Sequence, residues 1–261
     1  MSAQRIGAHV DRADPLGSAA LTGSEVIQIF LSAPQSWAEP KLRGDELQLA
    51  NSGLAVYVHA PYLLNPASLN PVVRERSRVA LQQQCSAARR VGAAGVIVHG
   101  GHPTGSGTVD DGIAGWLEVL DGLELETRVL IENTAGGNAA VARRFDDFAR
   151  LLDSVRGAGH DIGVCIDTCH AHAGGETLHG LVERVHSFAG GIDFIHANDS
   201  KDGFDSGRDR HQNLGSGECR LDEIIETIRL AGCDVVVETP GGVTAMRDDV
   251  YTIREQLPAR S

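Results

Sequence analysis

The feature that most limits what this chain can fold into is a series of eight short β-rich runs, recurring at roughly 20 to 40 residues and separated by helix-period segments. The runs are Arg5–Val10, Glu25–Leu31, Ala55–His59, Gly95–His99, Arg128–Glu132, Asp161–Asp167, Asp193–His196 and Asp234–Glu238. Strands alternating with helical patterns imply βαβ units and a parallel sheet. Eight such units within 261 residues predict an α/β protein, a single (β/α)8 TIM barrel domain over residues 1–261, with an open doubly wound sheet as the alternative. Asn70 followed by Pro71 reads as a helix cap and first turn, and Gly92 as the stop of the same helix. Phe145, Phe148, Leu151, Leu152 and Val155 form one apolar stripe, and Leu221, Ile224, Ile225 and Ile228 repeat the pattern.

The chemistry stands where the strands stop. Six successive runs end on His59, His99, Glu132, Asp167 (with His170 close behind), His196 and Glu238. In a barrel the strand C-termini converge on one face, where active sites are built. Taken singly, a histidine after an apolar strand is an ordinary core or loop residue, and a carboxylate there is an ordinary cap. Taken together, that many carboxylates without cations would repel one another and raise their own pKa values. Metal ions remove the conflict, because they take anionic oxygen and neutral imidazole as ligands. In the segment Ser200–Glu218, Asp209-Arg210-His211 adds two candidate ligands that share a side if the chain is extended. His59, His99, Glu132, Asp167, His170, His196, Asp209, His211 and Glu238 exceed the needs of one zinc, which takes about four ligands, so two or three ions fit better. His9 ends the first run on the same face and is a candidate partner of a ligand.

The net charge of −12 excludes a generic basic nucleic-acid coat, but not a nuclease whose positive charge is bound metal. The chain has no apolar run of about 18 residues and no signal-like N-terminus. Five cysteines without framework spacing fit free thiols in a reducing compartment. A cytoplasmic protein with no membrane partner is expected. Cys165 and Cys169, in a strand and a turn, are expected to pack rather than ligate.

The motifs Gly7-Ala8-His9-Val10, His59-Ala60-Pro61-Tyr62, His99, Ile131-Glu132-Asn133-Thr134-Ala135-Gly136, Cys165-Ile166-Asp167-Thr168-Cys169-His170, His196-Ala197-Asn198-Asp199-Ser200-Lys201, Asp209-Arg210-His211 and Val237-Glu238-Thr239-Pro240 together resemble the endonuclease IV family, over essentially the whole chain. The resemblance implies a trinuclear zinc site, with manganese or iron as possible substitutes, that hydrolyses the phosphodiester 5′ to an abasic site in duplex DNA and leaves a 3′-hydroxyl and a 5′-deoxyribose phosphate. It assigns His59, His99 and Glu132 to one ion, Glu132, Asp167, His196 and Glu238 to a second, and His170, Asp209 and His211 to the third. Glu132, shared by two ions, is the implied catalytic carboxylate. It further implies DNA contacts at Tyr62 and Leu63, with Arg210 a candidate phosphate contact, and a monomer without protein partners. The sequence departs from the family pattern at Gln35, where a penetrating arginine is usual, at Asp11-Arg12-Ala13-Asp14, and at His99-Gly100-Gly101-His102.

Two other readings use the same residues. A single-metal sugar isomerase or epimerase of the xylose-isomerase-like barrels would need only Glu132, Asp167, His196 and Glu238, leaving five candidate ligands without a purpose. A zinc-binding or DNA-damage-binding module that has lost turnover is favoured by nothing in the sequence, since no ligand position is missing.

Overall fold

The computed structural model describes residues 4–137 and 139–257. The elements follow in the order β1 (Ile6–His9), α1 (Pro15–Thr22), β2 (Val26–Phe30), α2 (Glu46–Ala50), β3 (Ala55–His59), α3 (Pro71–Arg90), β4 (Gly95–His99), α4 (Val109–Leu120), β5 (Val129–Glu132), α5 (Phe145–Gly157), β6 (Ile162–Asp167), α6 (Thr168–Gly174), α7 (Leu181–Ala189), β7 (Phe194–His196), β8 (Asp199–Ser200), β9 (His211–Gln212), α8 (Leu221–Ala231), β10 (Asp234–Val237) and α9 (Gly242–Gln256). Eight strands close in the order β1-β10-β7-β6-β5-β4-β3-β2, with every pair parallel. The chain is a closed barrel, which disposes of the open sheet. Each barrel strand lies within one residue of its expected limits at both ends. Glu238 is the one strand-end ligand that falls outside its strand, a residue beyond β10.

Strand side chains alternate in direction, and here the alternation builds two layers inside the barrel. Val26, Ala55, Tyr57, Ile97, Leu130, Cys165, Phe194 and Val236 form a buried apolar cluster of their own. Two residues further along six of these strands stand His59, His99, Glu132, Asp167, His196 and Glu238. The candidate ligands are thus the next interior layer above an apolar one. Tyr57 stacks on Phe194 with ring centroids 4.0 Å apart, closing the lower layer. The opposite faces of the strands pack against the helices in a second, larger core. On α5 the expected stripe is buried throughout, and each of its large side chains contributes about 1.5–3 kcal/mol by leaving water. Asn70 caps α3 by accepting from the Val72 amide at 2.9 Å, with Pro71 in the first turn as expected.

Two local expectations need correction. The segment Ser200–Glu218, read from the sequence as a loop, is paired in part: β8 and β9 run antiparallel, Asp199 with Gln212 and Ser200 with His211. Cys169 lies in helix α6 rather than a turn, because Asp167 caps that helix directly at the strand end. Both Cys165 and Cys169 are buried free thiols, and burial pushes both up to about 12. Among the described residues no helix is long and apolar enough to cross a membrane.

Candidate metal centre

Strand register sets the candidate ligands side by side. His99 is the lateral neighbour of Glu132 across β4 and β5, and Asp167 that of His196 across β6 and β7. Glu132 is the hub. Its Oε2 lies 3.4 Å from His59 Nε2 and 3.3 Å from His99 Nε2. Its Oε1 lies 2.9 Å from His196 Nδ1 and 3.2 Å from His170 Nδ1. His196 Nδ1 also faces Glu238 Oε2 at 3.4 Å and Asp167 Oδ2 at 3.9 Å. On the far side, Asp209 Oδ1 lies 3.1 Å from His170 Nε2 and 3.3 Å from His211 Nε2. His211 Nε2 is in addition 3.4 Å from Asp167 Oδ2.

These contacts form three adjoining groups with the spacing of metal ligands: His59, His99 and Glu132; Glu132, Asp167, His196 and Glu238; and His170 and His211 with a carboxylate. In the third group Asp167 stands as close to the histidines as the grouping requires. Asp209, the expected carboxylate, approaches both rings from the exposed side. The hairpin formed by β8 and β9 is what brings Asp209 and His211 over the barrel mouth.

The rings are turned so that a lone pair faces each group. His59 Nδ1 donates to the Ala60 carbonyl at 2.7 Å, His170 Nδ1 to the Asn133 carbonyl at 3.0 Å, and His211 Nδ1 to the Glu238 carbonyl at 3.3 Å. A neutral imidazole that donates from one nitrogen offers a lone pair at the other. The Nε2 atoms of His59, His170 and His211 and Oε2 of Glu132 are buried and have no hydrogen-bond partner. Orphaned buried polar atoms are costly, and four of them aimed into one cluster are what divalent ions would satisfy. The donor set of imidazole and carboxylate suits zinc and its neighbours in the first transition row. These residues fit a metal centre.

Without an ion the carboxylates and histidines hold one another in their charged forms, and a bound metal would take the place of the histidine protons. Burial raises the pKa of Glu132, but His196 and His99 with bonds from His170 outweigh it and hold it well below the ordinary carboxylate value. Glu238 is held down in the same way, against burial, by His196, His9 and His59. Burial opposes the charged form of His170, yet Asp167, Asp209 and Glu132 carry its pKa well above the ordinary value. Asp209 falls to about 2 because His170, His211 and His99 outweigh its burial. Glu132, Glu238 and Asp209 therefore stay anionic and available.

Around the mouth, Tyr62 is 52% exposed and stands over the ligands, 5.3 Å from the His59 ring, 5.6 Å from His99 and 5.4 Å from Phe30. It separates a cleft of about 550 Å³, whose lining includes Trp37, Leu63, His99 and Asp209, from a smaller one beside His9, His211 and Glu238. Gln35 is exposed in the loop after β2. That loop is tied to Tyr62 by the Tyr62 amide donating to the Pro34 carbonyl at 2.9 Å. Arg210 is exposed but engaged, its Nε donating to Asp202 Oδ2 at 2.6 Å. Arg208 shares the same aspartate.

A family model described as xylose isomerase-like TIM barrel matches residues 18–256. A protein of Mycobacterium tuberculosis named "Probable endonuclease 4" is 49% identical over 251 residues, covering 96% of this chain and 98% of the relative. The chain belongs to the endonuclease IV family. The solved structure of endonuclease IV from Thermus thermophilus superimposes with a TM-score of 0.82 at 28% identity, over 96% of this chain and 98% of that one. A D-tagatose 3-epimerase-like protein aligns with a TM-score of 0.77 but 18% identity, over 97% and 96% of the two chains, a likeness of fold alone.

Three contributors to the centre were given no role from the sequence, although two of them stand inside its motifs. Asn133 and Asn198 brace Asp167: Asn133 Oδ1 accepts from the Asp167 amide at 2.7 Å, and Asn198 Nδ2 donates to Asp167 Oδ2 at 2.7 Å. Asn133 directly follows Glu132 and Asn198 stands two residues after His196, which was the available signal. Gln28, fully buried in the middle of β2, touches both His196 and Glu238. Its signal was an amide inside the otherwise apolar run Val26–Phe30. His9, flagged from its place at the end of the first strand, does meet a ligand, with Nδ1 2.8 Å from Glu238 Oε1.

Proposed function

We propose that the chain is a zinc-dependent apurinic/apyrimidinic endonuclease, a monomeric single-domain barrel that hydrolyses the phosphodiester 5′ to an abasic site in duplex DNA, leaving a 3′-hydroxyl and a 5′-deoxyribose phosphate. The observation that carries the reading is the run of three adjoining ligand groups, two of them sharing Glu132, with unpartnered lone pairs aimed into it. An endonuclease of this type is supported by the names of its relatives.

His59, His99 and Glu132 would hold one ion, Glu132, Asp167, His196 and Glu238 a second, and His170, His211 and Asp209 the third. Divalent ions held there supply Lewis acidity, neutralising a phosphodiester and lowering the pKa of water. The remaining work falls to the chain. Backbone carbonyls fix the ring orientation of His59, His170 and His211. Asn133 holds the Asp167 backbone and Asn198 its carboxylate. Tyr62, with Leu63 and Gln35 on adjoining loops, stands where a duplex seated on the mouth would be entered at a gap in its stacking. Arg210, held by Asp202, would meet a phosphate beside it. A sugar isomerase needs the second group alone and gives no purpose to the other two.

The test is incision of a duplex oligonucleotide carrying one synthetic abasic site, with and without a strong chelator, with metal analysis of the same sample. Cutting 5′ to the site that is lost on chelation, with zinc in multiple equivalents, is the expected result. An intact duplex with fully loaded protein and one ion per chain would overturn the reading.

A further inference from the structure

Three of the histidines facing the groups are oriented by backbone carbonyls, which no substitution removes. His196 is different. Its Nε2 faces Gln28 Oε1 at 2.7 Å, and its Nδ1 points into the group with Glu132, Asp167 and Glu238. The amide oxygen can only accept, so Nε2 of His196 keeps its proton, and Nδ1, which lies 2.9 Å from Glu132 Oε1, is the nitrogen that a metal would take in place of its proton. The other end of the same amide, Nε2, lies 2.5 Å from Glu238 Oε1. Gln28 Nε2 is also 2.8 Å from His9 Nδ1, but turning the amide over would set oxygen against a carboxylate oxygen and leave His196 facing an N–H, so the Glu238 and His196 contacts fix the orientation. Glu238 Oε1 is also 2.8 Å from His9 Nδ1. With Oε1 committed to these two partners, Oε2 is the oxygen turned toward His196 Nδ1, at 3.4 Å.

We propose that Gln28 is a positioning residue for the second metal group, fixing the His196 tautomer with its oxygen and the Glu238 rotamer with its nitrogen. One side chain thereby sets two ligands of one group and none of the other two. It stands on β2, whose C-terminal end supplies no ligand at all. The inference rests on the metal centre proposed above, and not on the identity of the substrate. Outer partners of this kind typically contribute 10- to 100-fold to metal affinity.

The experiment measures zinc affinity by competition with a chromogenic chelator, for the full chain and for Gln28→Leu, alongside unfolding of the chelated proteins. The leucine nearly conserves volume and removes both bonds. The expected result is one class of zinc weakened by about 10- to 100-fold, with the other ions bound as in the wild type and the chelated protein unfolding as before. Should Gln28→Leu not fold, Gln28→Glu decides. Its carboxylate still accepts from His196 but opposes Glu238, so the same single class of zinc should weaken. Zinc bound as tightly as in the wild type, or a uniform loss at every site together with earlier unfolding of the chelated protein, overturns the proposal. A wild-type chain that binds zinc in these groups and leaves abasic DNA uncut refutes the nuclease reading alone.

Discussion

Replacing Glu132 by glutamine is the sharpest perturbation the centre offers, because the shape is kept and only charge and donor character change. Its two oxygens serve different groups, Oε2 facing His59 and His99, Oε1 facing His196 and His170. An amide can present oxygen to one side only. Whichever way it turns, one group meets an NH2 that cannot ligate. If that is the group of His59 and His99, two protein ligands remain, fewer than the three that catalytic zinc sites keep. The other group retains a neutral oxygen in place of an anionic one. Loss of a direct ligand should exceed the roughly 100-fold upper figure for an outer partner, which corresponds to about 2.7 kcal/mol at the affected site. Glu132→Gln should therefore retain at least one zinc fewer per chain, while the group of His170 and His211 keeps its ion. Incision of an abasic duplex should fall by at least about 100-fold at saturating substrate. Metal analysis after gel filtration and single-turnover cutting read the two quantities on one sample. A variant with the full metal content that cuts at the wild-type rate would refute the reasoning.

Tyr62→Ala should leave metal content unchanged and weaken binding to abasic duplex by about 1–3 kcal/mol, the value of an aromatic stacked on a base, as read by fluorescence anisotropy. Arg210→Ala should weaken DNA binding similarly for all sequences and lower the slope of log affinity against log salt by about one, which a salt titration checks. Trp116→Phe removes the indole N–H that donates to the Gly100 carbonyl at 2.7 Å. It should lower stability to denaturant by about 1–3 kcal/mol through the unpaired buried carbonyl. The chelated protein has its own pH dependence. The folded pKa values of His170 and His196 are raised above the ordinary 6.5, so their contribution is complete below that value and lost as pH rises through the folded values. Those of Glu132 and Glu238 are depressed below 4.5, so theirs is present above that value and lost only at lower pH. Thermal unfolding in chelator should thus move to lower temperature as pH rises above about 6.5, and an opposite trend would contradict the charge arrangement described.

Much of this architecture was legible because strand and site obey one periodicity. In β3 the inward positions Ala55, Tyr57 and His59 descend from ligand to apolar layer in steps of two, and β4, β5 and β7 do the same. A strand that ends on a histidine or carboxylate therefore announces both its boundary and its chemistry. The hairpin of β8 and β9 could not be read in this way, since strands of two residues carry no period. Helix α6 was hidden because Asp167 serves at once as strand end, candidate ligand and helix cap. Gln28 was missed because a single polar residue in an apolar strand resembles ordinary alternation. What distinguishes it is the pair of side chains brought to it from β7 and from beyond β10, at sequence separations of 168 and 210 residues.

The apolar layer under the ligands has a consequence for exchange. Tyr57, Phe194, Leu130 and Ile97 are buried and packed across the barrel axis, so the lower half is filled by side chains and leaves an ion no passage. Ions must then enter and leave by the same mouth that a substrate would cover. A duplex bound there acts as a stopper, and stripping by chelator should slow in proportion to the fraction of protein bound.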